Sequence, residues 1–249
     1  MTHLSVEKNG PVTTVRFTRP EKKNALDLAM YEAWAAAFEE AATDDAVRVV
    51  VLTGSAGIFT AGNDIGDFMR NPPTGESSPV FRVLTAVRTF PKPIVAAVDG
   101  PAIGIGTTIL LHCDLVIATE SARFQLPFVN LALVPEAASS VLLPSLVGMH
   151  RAAEWLMLGE AFDARAALVA GLVNRVVTAD ALEPTAQDLA ARLAQKPKEA
   201  LRLTKKLLRG PTSAQVEQTM RDESALFLER LASAEAMEAF MAFASRKSK

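Results

Sequence analysis

Three short apolar runs constrain this chain more than any other feature: residues 47–53 (VRVVVLT), 94–98 (IVAAV) and 114–118 (DLVIA). Each is far too short to span a membrane, and their near-continuous apolar character reads as strands buried on both faces, as in a parallel sheet. Between them lie stretches of helical spacing. Asp27 can cap a helix carrying Met30, Trp34, Ala37, Phe38 and Ala41 and ending near Thr43, and residues 80–90 and 105–112 also have helical length. Strands alternating with helices predict an α/β core. Alternation at residues 4–7 and 12–17, joined by Asn9-Gly10, predicts a hairpin that opens the sheet.

From Ser139 onwards helices dominate. They are predicted over 140–146, 151–158, a short stretch after Asp163, 179–194, 197–209 and two more from Ser213 to the end, with a single strand at 172–177. Met220, Leu226, Phe227, Leu231, Met237, Phe240 and Phe243 form apolar stripes on the last helices. Such stripes must pack on something, either the chain's own core or a neighbouring subunit.

Composition excludes several classes. With 249 residues, 49% of them hydrophobic, the chain can bury a substantial core. A net charge of −2, spread along the sequence, gives no electrostatic case for a nucleic-acid or membrane partner. The lone Cys113 permits no intrachain disulfide and reads as a buried structural thiol. His3, His112 and His150 are too scattered for a metal site or a histidine triad, so no metal is expected. The first residues lack the apolar core of a signal peptide, which predicts a cytoplasmic protein.

The candidate chemistry gathers in residues 93–140. Gly100, Gly104 and Gly106 lead into a helix start near Ile105, where free N–H groups favour negative charge. A second loop, Phe59-Thr60-Ala61-Gly62-Asn63-Asp64-Ile65, follows the strand at 47–53, and both loops should leave the same end of the sheet. Two backbone N–H groups converging from different loops make an oxyanion hole. The glycine spacing is not that of a dinucleotide-binding turn. Asp64 can cap a helix after it, and the polar run at 70–79 is the best candidate for a mobile loop. Glu136 is the one carboxylate amid Leu131, Leu133, Val134, Pro135, Ala137 and Ala138. It can favour the following helix through its dipole, work as an acid–base group, or do both.

These residues carry a family resemblance. Residues 59–65 resemble the FxAGxDI signature of the crotonase (enoyl-CoA hydratase/isomerase) superfamily, and residues 92–104 (KPIVAAVDGPAIG) resemble its KPxIAAVxGxAxG signature. Arg19-Pro20 with Asn24-Ala25-Leu26, Cys113-Asp114 and Gly171-Leu172-Val173-Asn174 are similar to its other elements, in order along the chain. The resemblance implies a spiral of ββα units over residues 1–195 and a C-terminal helical trimerisation region over 196–249, giving a homotrimer or a dimer of trimers. It implies an acyl-CoA thioester substrate, with no cofactor beyond the coenzyme A moiety. The thioester oxygen would sit between the amides of Asn63 and Ile105, and coenzyme A against Lys22, Lys23, Ala25, Ala61, Asp64, Ile65 and Gly104.

The family's two hydratase glutamates fall on Thr108 and Phe128, neither able to exchange protons near neutral pH. Residues 100–105 and 133–140 instead resemble the Δ3,Δ2-enoyl-CoA isomerase branch, in which the residue matching Glu136 is the base. The expected activity is migration of a 3-enoyl-CoA double bond to the 2-trans position. The alternatives are hydration or another crotonase-type reaction, or an inactive oligomer that binds acyl-CoA.

Overall fold

The structure, a computed structural model, describes residues 3–75 and 77–246. Strands β1 (Leu4–Asn9) and β2 (Val12–Phe17) form the expected hairpin, Leu4 opposite Phe17 and Asn9 opposite Val12. Asp27 accepts the Met30 N–H and starts α1 (Leu28–Thr43), which buries Met30, Tyr31, Trp34, Ala37, Phe38 and Ala41 on one face. Next come β3 (Val49–Thr53), α2 (Ile65–Arg70), α3 (Pro79–Thr89) and β4 (Ile94–Val98). Then follow β5 (Pro101–Ile103), α4 (Ile105–Thr108), a 3₁₀ turn at Ile109–His112, β6 (Leu115–Thr119) and β7 (Arg123–Gln125).

The second half contains α5 (Ser139–Val147), α6 (Met149–Ala153), β8 (Phe162–Asp163), α7 (Ala164–Val169), β9 (Arg175–Val177) and α8 (Ala179–Ala194). It closes with α9 (Lys198–Arg209), α10 (Ser213–Leu231) and α11 (Ala234–Arg246).

The main sheet has the order β1-β2-β3-β4-β6-β9 and is parallel throughout except for the opening hairpin. Both of its faces are covered. Val49, Val51, Val95, Ala97 and Ile117 pack against Leu182, Ala186, Leu189 and Ala190 of α8, while Val50, Leu52, Ile94, Ala96 and Ala118 join the main core. Successive residues of one strand therefore enter different apolar layers, which is why these runs lack polar alternation.

The structure departs from the sequence reading in places. The helix at 105–112 tightens to 3₁₀ geometry after Thr108. The strand at 172–177 shrinks to Arg175–Val177, because Leu172 and Val173 turn into the core after Gly171, at φ +83°. Asn174 then bonds Val116 with both its backbone N–H and its side-chain oxygen. A second sheet, β5-β7-β8, was not anticipated, since strands of two or three residues leave no periodic signature.

Helices α10 and α11 cover the chain's own core. Val216, Met220, Phe227 and Phe240 are buried, the Phe227 ring meets the edge of Phe68, and Arg230 donates to the Ala132 carbonyl at 3.1 Å. Leu226, Met237 and Met241 stay exposed on the single chain. Residues 71–78 link α2 to α3, and Glu76 within the polar run lies outside the described residues. No described helix is long and apolar enough to cross a membrane.

Candidate active site

Two loops at the end of the sheet are tied into one piece. The Arg19 guanidinium donates to the Ala25 carbonyl at 3.0 Å and to Asp64 at 2.8 Å. Asn24, fully buried, accepts the Arg19 N–H and donates to the carbonyls of Ser55 and Ile58. Backbone bonds complete the tie: Leu26 N–H to Gly62 O at 2.8 Å, Asp64 N–H to Leu26 O at 2.9 Å and Ala61 N–H to Lys23 O at 3.0 Å. Lys22, Lys23, Ala25, Ala61, Asp64 and Ile65 thus belong to one cross-linked surface, with both lysines exposed and Ala25 buried.

Asp64 does cap α2, accepting the Asp67 N–H. Burial alone would raise its pKa, but the Asp67 N–H and the Arg19 guanidinium together hold it below the usual range, so it is ionised.

The amides expected to converge lie on neighbouring segments. Leu26 uses the N–H of Asp64 and the carbonyl of Gly62, so alternation along the extended chain turns the N–H of Asn63 to the other side. Gly62, at φ +81°, passes so close to β5 that a Cβ there would lie 2.8 Å from the Ile103 carbonyl oxygen. Ile105 is the first residue of α4, where an N–H has no carbonyl a turn earlier to bond. Gly104 precedes it as the N-cap at φ +59°, and at Gly106 a Cβ would strike Thr60 Cγ2 at 2.6 Å. Glycine there lets α4 seat against the first loop.

Glu136 stands between the 3₁₀ turn Val129–Leu131 and α5, and only 8% of its surface is exposed. The Thr108 hydroxyl donates to its Oε1 at 3.2 Å. Burial, together with the charge of Glu223, pushes its pKa to about 7, against the lowering effect of the Thr108 bond. Phe128, the other position matched to a hydratase glutamate, is buried. Glu223 of α10 caps the start of α5, its carboxylate accepting the N–H groups of Ala138 and Ser140.

Sequence reasoning missed other members of the site. Tyr31 of α1 donates to Asn63 Oδ1 at 2.5 Å, and its pKa is raised well above the ordinary value by burial and by the charge of Glu136. His112 lies 2.7 Å from the Ala137 carbonyl. The signal for Glu223 was present: it follows Met220 by three residues and precedes Phe227 by four, which places a carboxylate on an apolar stripe. Cys113 is half-buried against the core rather than fully buried, and desolvation pushes its thiol up to about 12, which keeps it protonated.

Residues 7–249 match the enoyl-CoA hydratase/isomerase family. Enoyl-CoA delta isomerase 2 of Rattus norvegicus is 34% identical over 252 residues, covering 99% of this chain. The chain spans 64% of that relative's length. The 2,3-dehydroadipyl-CoA hydratase of Escherichia coli (strain K12) is 32% identical over 248 residues, covering 99% of this chain and 97% of the hydratase. The solved structure of Pseudomonas aeruginosa OdaA aligns with a TM-score of 0.95 at 45% identity, covering 98% of this chain and 99% of that one.

Proposed function

The chain belongs to the enoyl-CoA hydratase/isomerase family, and from that premise we propose that it converts a 3-enoyl-CoA to the 2-trans-enoyl-CoA with Glu136 as its proton carrier. The observation that carries this reading is the state of Glu136: a buried carboxyl with a pKa of about 7, bonded to the threonine that stands where a hydratase glutamate would. A base poised near neutral pH can both take and return a proton.

In the reaction, the Glu136 carboxylate removes a proton from C2. The C–H electron pair moves into the C1–C2 bond as negative charge develops on the thioester oxygen. The N–H groups of Asn63 and Ile105 hold that oxygen, and Tyr31 steadies the Asn63 side chain. The neutral Glu136 carboxyl then gives the same proton to C4, leaving the double bond between C2 and C3. One carboxyl suffices because no water is added. The apolar residues that flank Glu136 in sequence, among them the buried Leu133 and Ala137, support a dry site in which hydration does not compete.

On the same reading coenzyme A lies against Lys22, Lys23, Ala25, Ala61, Asp64, Ile65 and Gly104, and the assembly is a homotrimer or a dimer of trimers, which sedimentation equilibrium would test. The decisive experiment gives purified protein a 3-enoyl-CoA and, separately, a 2-enoyl-CoA in water. Double-bond migration without hydration supports the reading. Hydration without migration overturns it, and tight acyl-CoA binding without either would make the chain a binding protein.

A further inference from the structure

The residues directly after the base have an unusual backbone. Ala137 and Ala138 both occupy the left-handed region, at φ +58° and +55°. A Cβ makes that region unfavourable, so two consecutive alanines stay there only where their surroundings hold them.

The holds come from two distant elements. From α10, Glu223 spans the turn: Oε2 accepts the Ala138 N–H at 2.6 Å and Oε1 accepts the Ser140 N–H at 2.9 Å. From the 3₁₀ turn at Ile109–His112, His112 Nε2 meets the Ala137 carbonyl at 2.7 Å. A carbonyl can only accept, so Nε2 carries the proton. Burial lowers the His112 pKa to about 4, and near neutral pH the ring is the uncharged Nε2–H tautomer. Within the turn, the Ser139 N–H donates to the carbonyl of Glu136 itself. Glu223 and His112 are both buried.

We propose that Glu223 and His112 are positioning residues, which hold the left-handed Ala137–Ala138 turn and thereby aim the Glu136 carboxyl at the acyl carbons. The inference rests on the isomerase reading for its kinetic consequence, although the clamp itself can be measured without turnover. A carboxylate accepting two N–H groups is a stiffer support than a single neutral bond. Small displacements of a reacting group are costly to rate even where binding is intact. Helix α10 is thereby coupled to the chemistry through one side chain.

The test compares Glu223→Gln with the wild type. Glutamine keeps one acceptor oxygen but sets an NH₂ group against the other N–H. The expected result is a kcat for 3-enoyl-CoA isomerisation reduced about 30- to 100-fold, with KM within about threefold. Amide hydrogen exchange at Ala138 and Ser140 should accelerate. The pKa of the base in the kcat profile should move down, because Glu223 of α10 faces Glu136 with a negative charge, as Tyr31 of α1 and Thr108 of α4 face it from the other sides. A cap that carried its charge without aiming the base would change thermal stability and shift that profile, but would leave the limiting kcat of the folded enzyme unchanged.

His112 supplies a second pair of variants should Glu223→Gln fail to fold. His112→Gln retains a donor for the Ala137 carbonyl and should keep most activity, whereas His112→Leu should lose it as Glu223→Gln does. A kcat within twofold of wild type in folded Glu223→Gln or His112→Leu overturns the inference. If the wild type shows no isomerisation, the proposed reaction fails, and the exchange rates at Ala138 and Ser140 decide the clamp alone: unchanged rates in Glu223→Gln refute it.

Discussion

Replacing Glu136 by glutamine should abolish isomerisation and at the same time stabilise the fold at alkaline pH. The stability effect follows from the pKa, which stands at 4.5 in an unfolded chain and about 7 in the folded protein. Below pH 4.5 the carboxyl is protonated in both states and costs nothing. As pH rises, the unfolded chain releases its proton while the folded protein keeps it, so wild-type stability falls until the folded group also ionises near pH 7. At about 1.4 kcal/mol per pH unit, the interval is worth ~3 kcal/mol above pH 7. Glutamine never ionises and escapes that cost, while its amide oxygen can still accept the Thr108 hydroxyl. Urea denaturation of both proteins at pH 5 and pH 8 measures the effect. The advantage of Glu136→Gln should grow by about 2–3 kcal/mol between the two pH values. An advantage independent of pH would show that Glu136 is not held neutral by burial, and a variant that still moves the double bond would end its role as base.

Three further outcomes are expected. Thr108→Val removes the bond that favours the Glu136 carboxylate, so the base should titrate higher, with kcat falling more at pH 6 than at pH 9; an unshifted profile would exclude Thr108 from tuning the base. The His112 pKa lies below its unfolded value, at about 4 against 6.5, so its contribution is present above pH 6.5 and lost as pH falls toward 4, by ~3 kcal/mol in all. Wild type should therefore lose more stability than His112→Gln between pH 7 and pH 5 in thermal melts, and parallel losses would contradict a buried neutral ring. Lys22→Ala with Lys23→Ala should raise KM for an acyl-CoA about three- to tenfold at unchanged kcat, with no change for the matching acyl-pantetheine thioester. Equal effects on both thioesters would show that the lysines do not meet the phosphates.

The parts of the fold legible in the sequence are those fixed by local periodicity. Strands such as Val49–Thr53 announce themselves because both faces are buried, and the α1 stripe because Met30, Trp34 and Phe38 recur on one side. Strands β5, β7 and β8 could not be read, since their partners are set by the packing of loops far apart in sequence. Glu136 was legible as a carboxylate in an apolar run. Its neighbours were not: Thr108 looked like a lost acid and proved to be a hydrogen-bond donor to the remaining one. Asn24 was visible as part of a motif, but its bracing of residues 19, 55 and 58 exists only in three dimensions.

The ties among Arg19, Asn24, Leu26 and Asp64 bear on how such a site can change over time. They give the loop that carries Asn63 its shape without drawing on residues 128–138, which carry the base. On the proposed reading, the Asn63 half of the grip is separable from the proton carrier, whereas Ile105 shares α4 with Thr108, which bonds the base. A lineage can trade one proton carrier for another while its hold on a thioester carbonyl passes down unaltered, and Glu136→Gln should accordingly still bind an enoyl thioester as tightly as the active enzyme does.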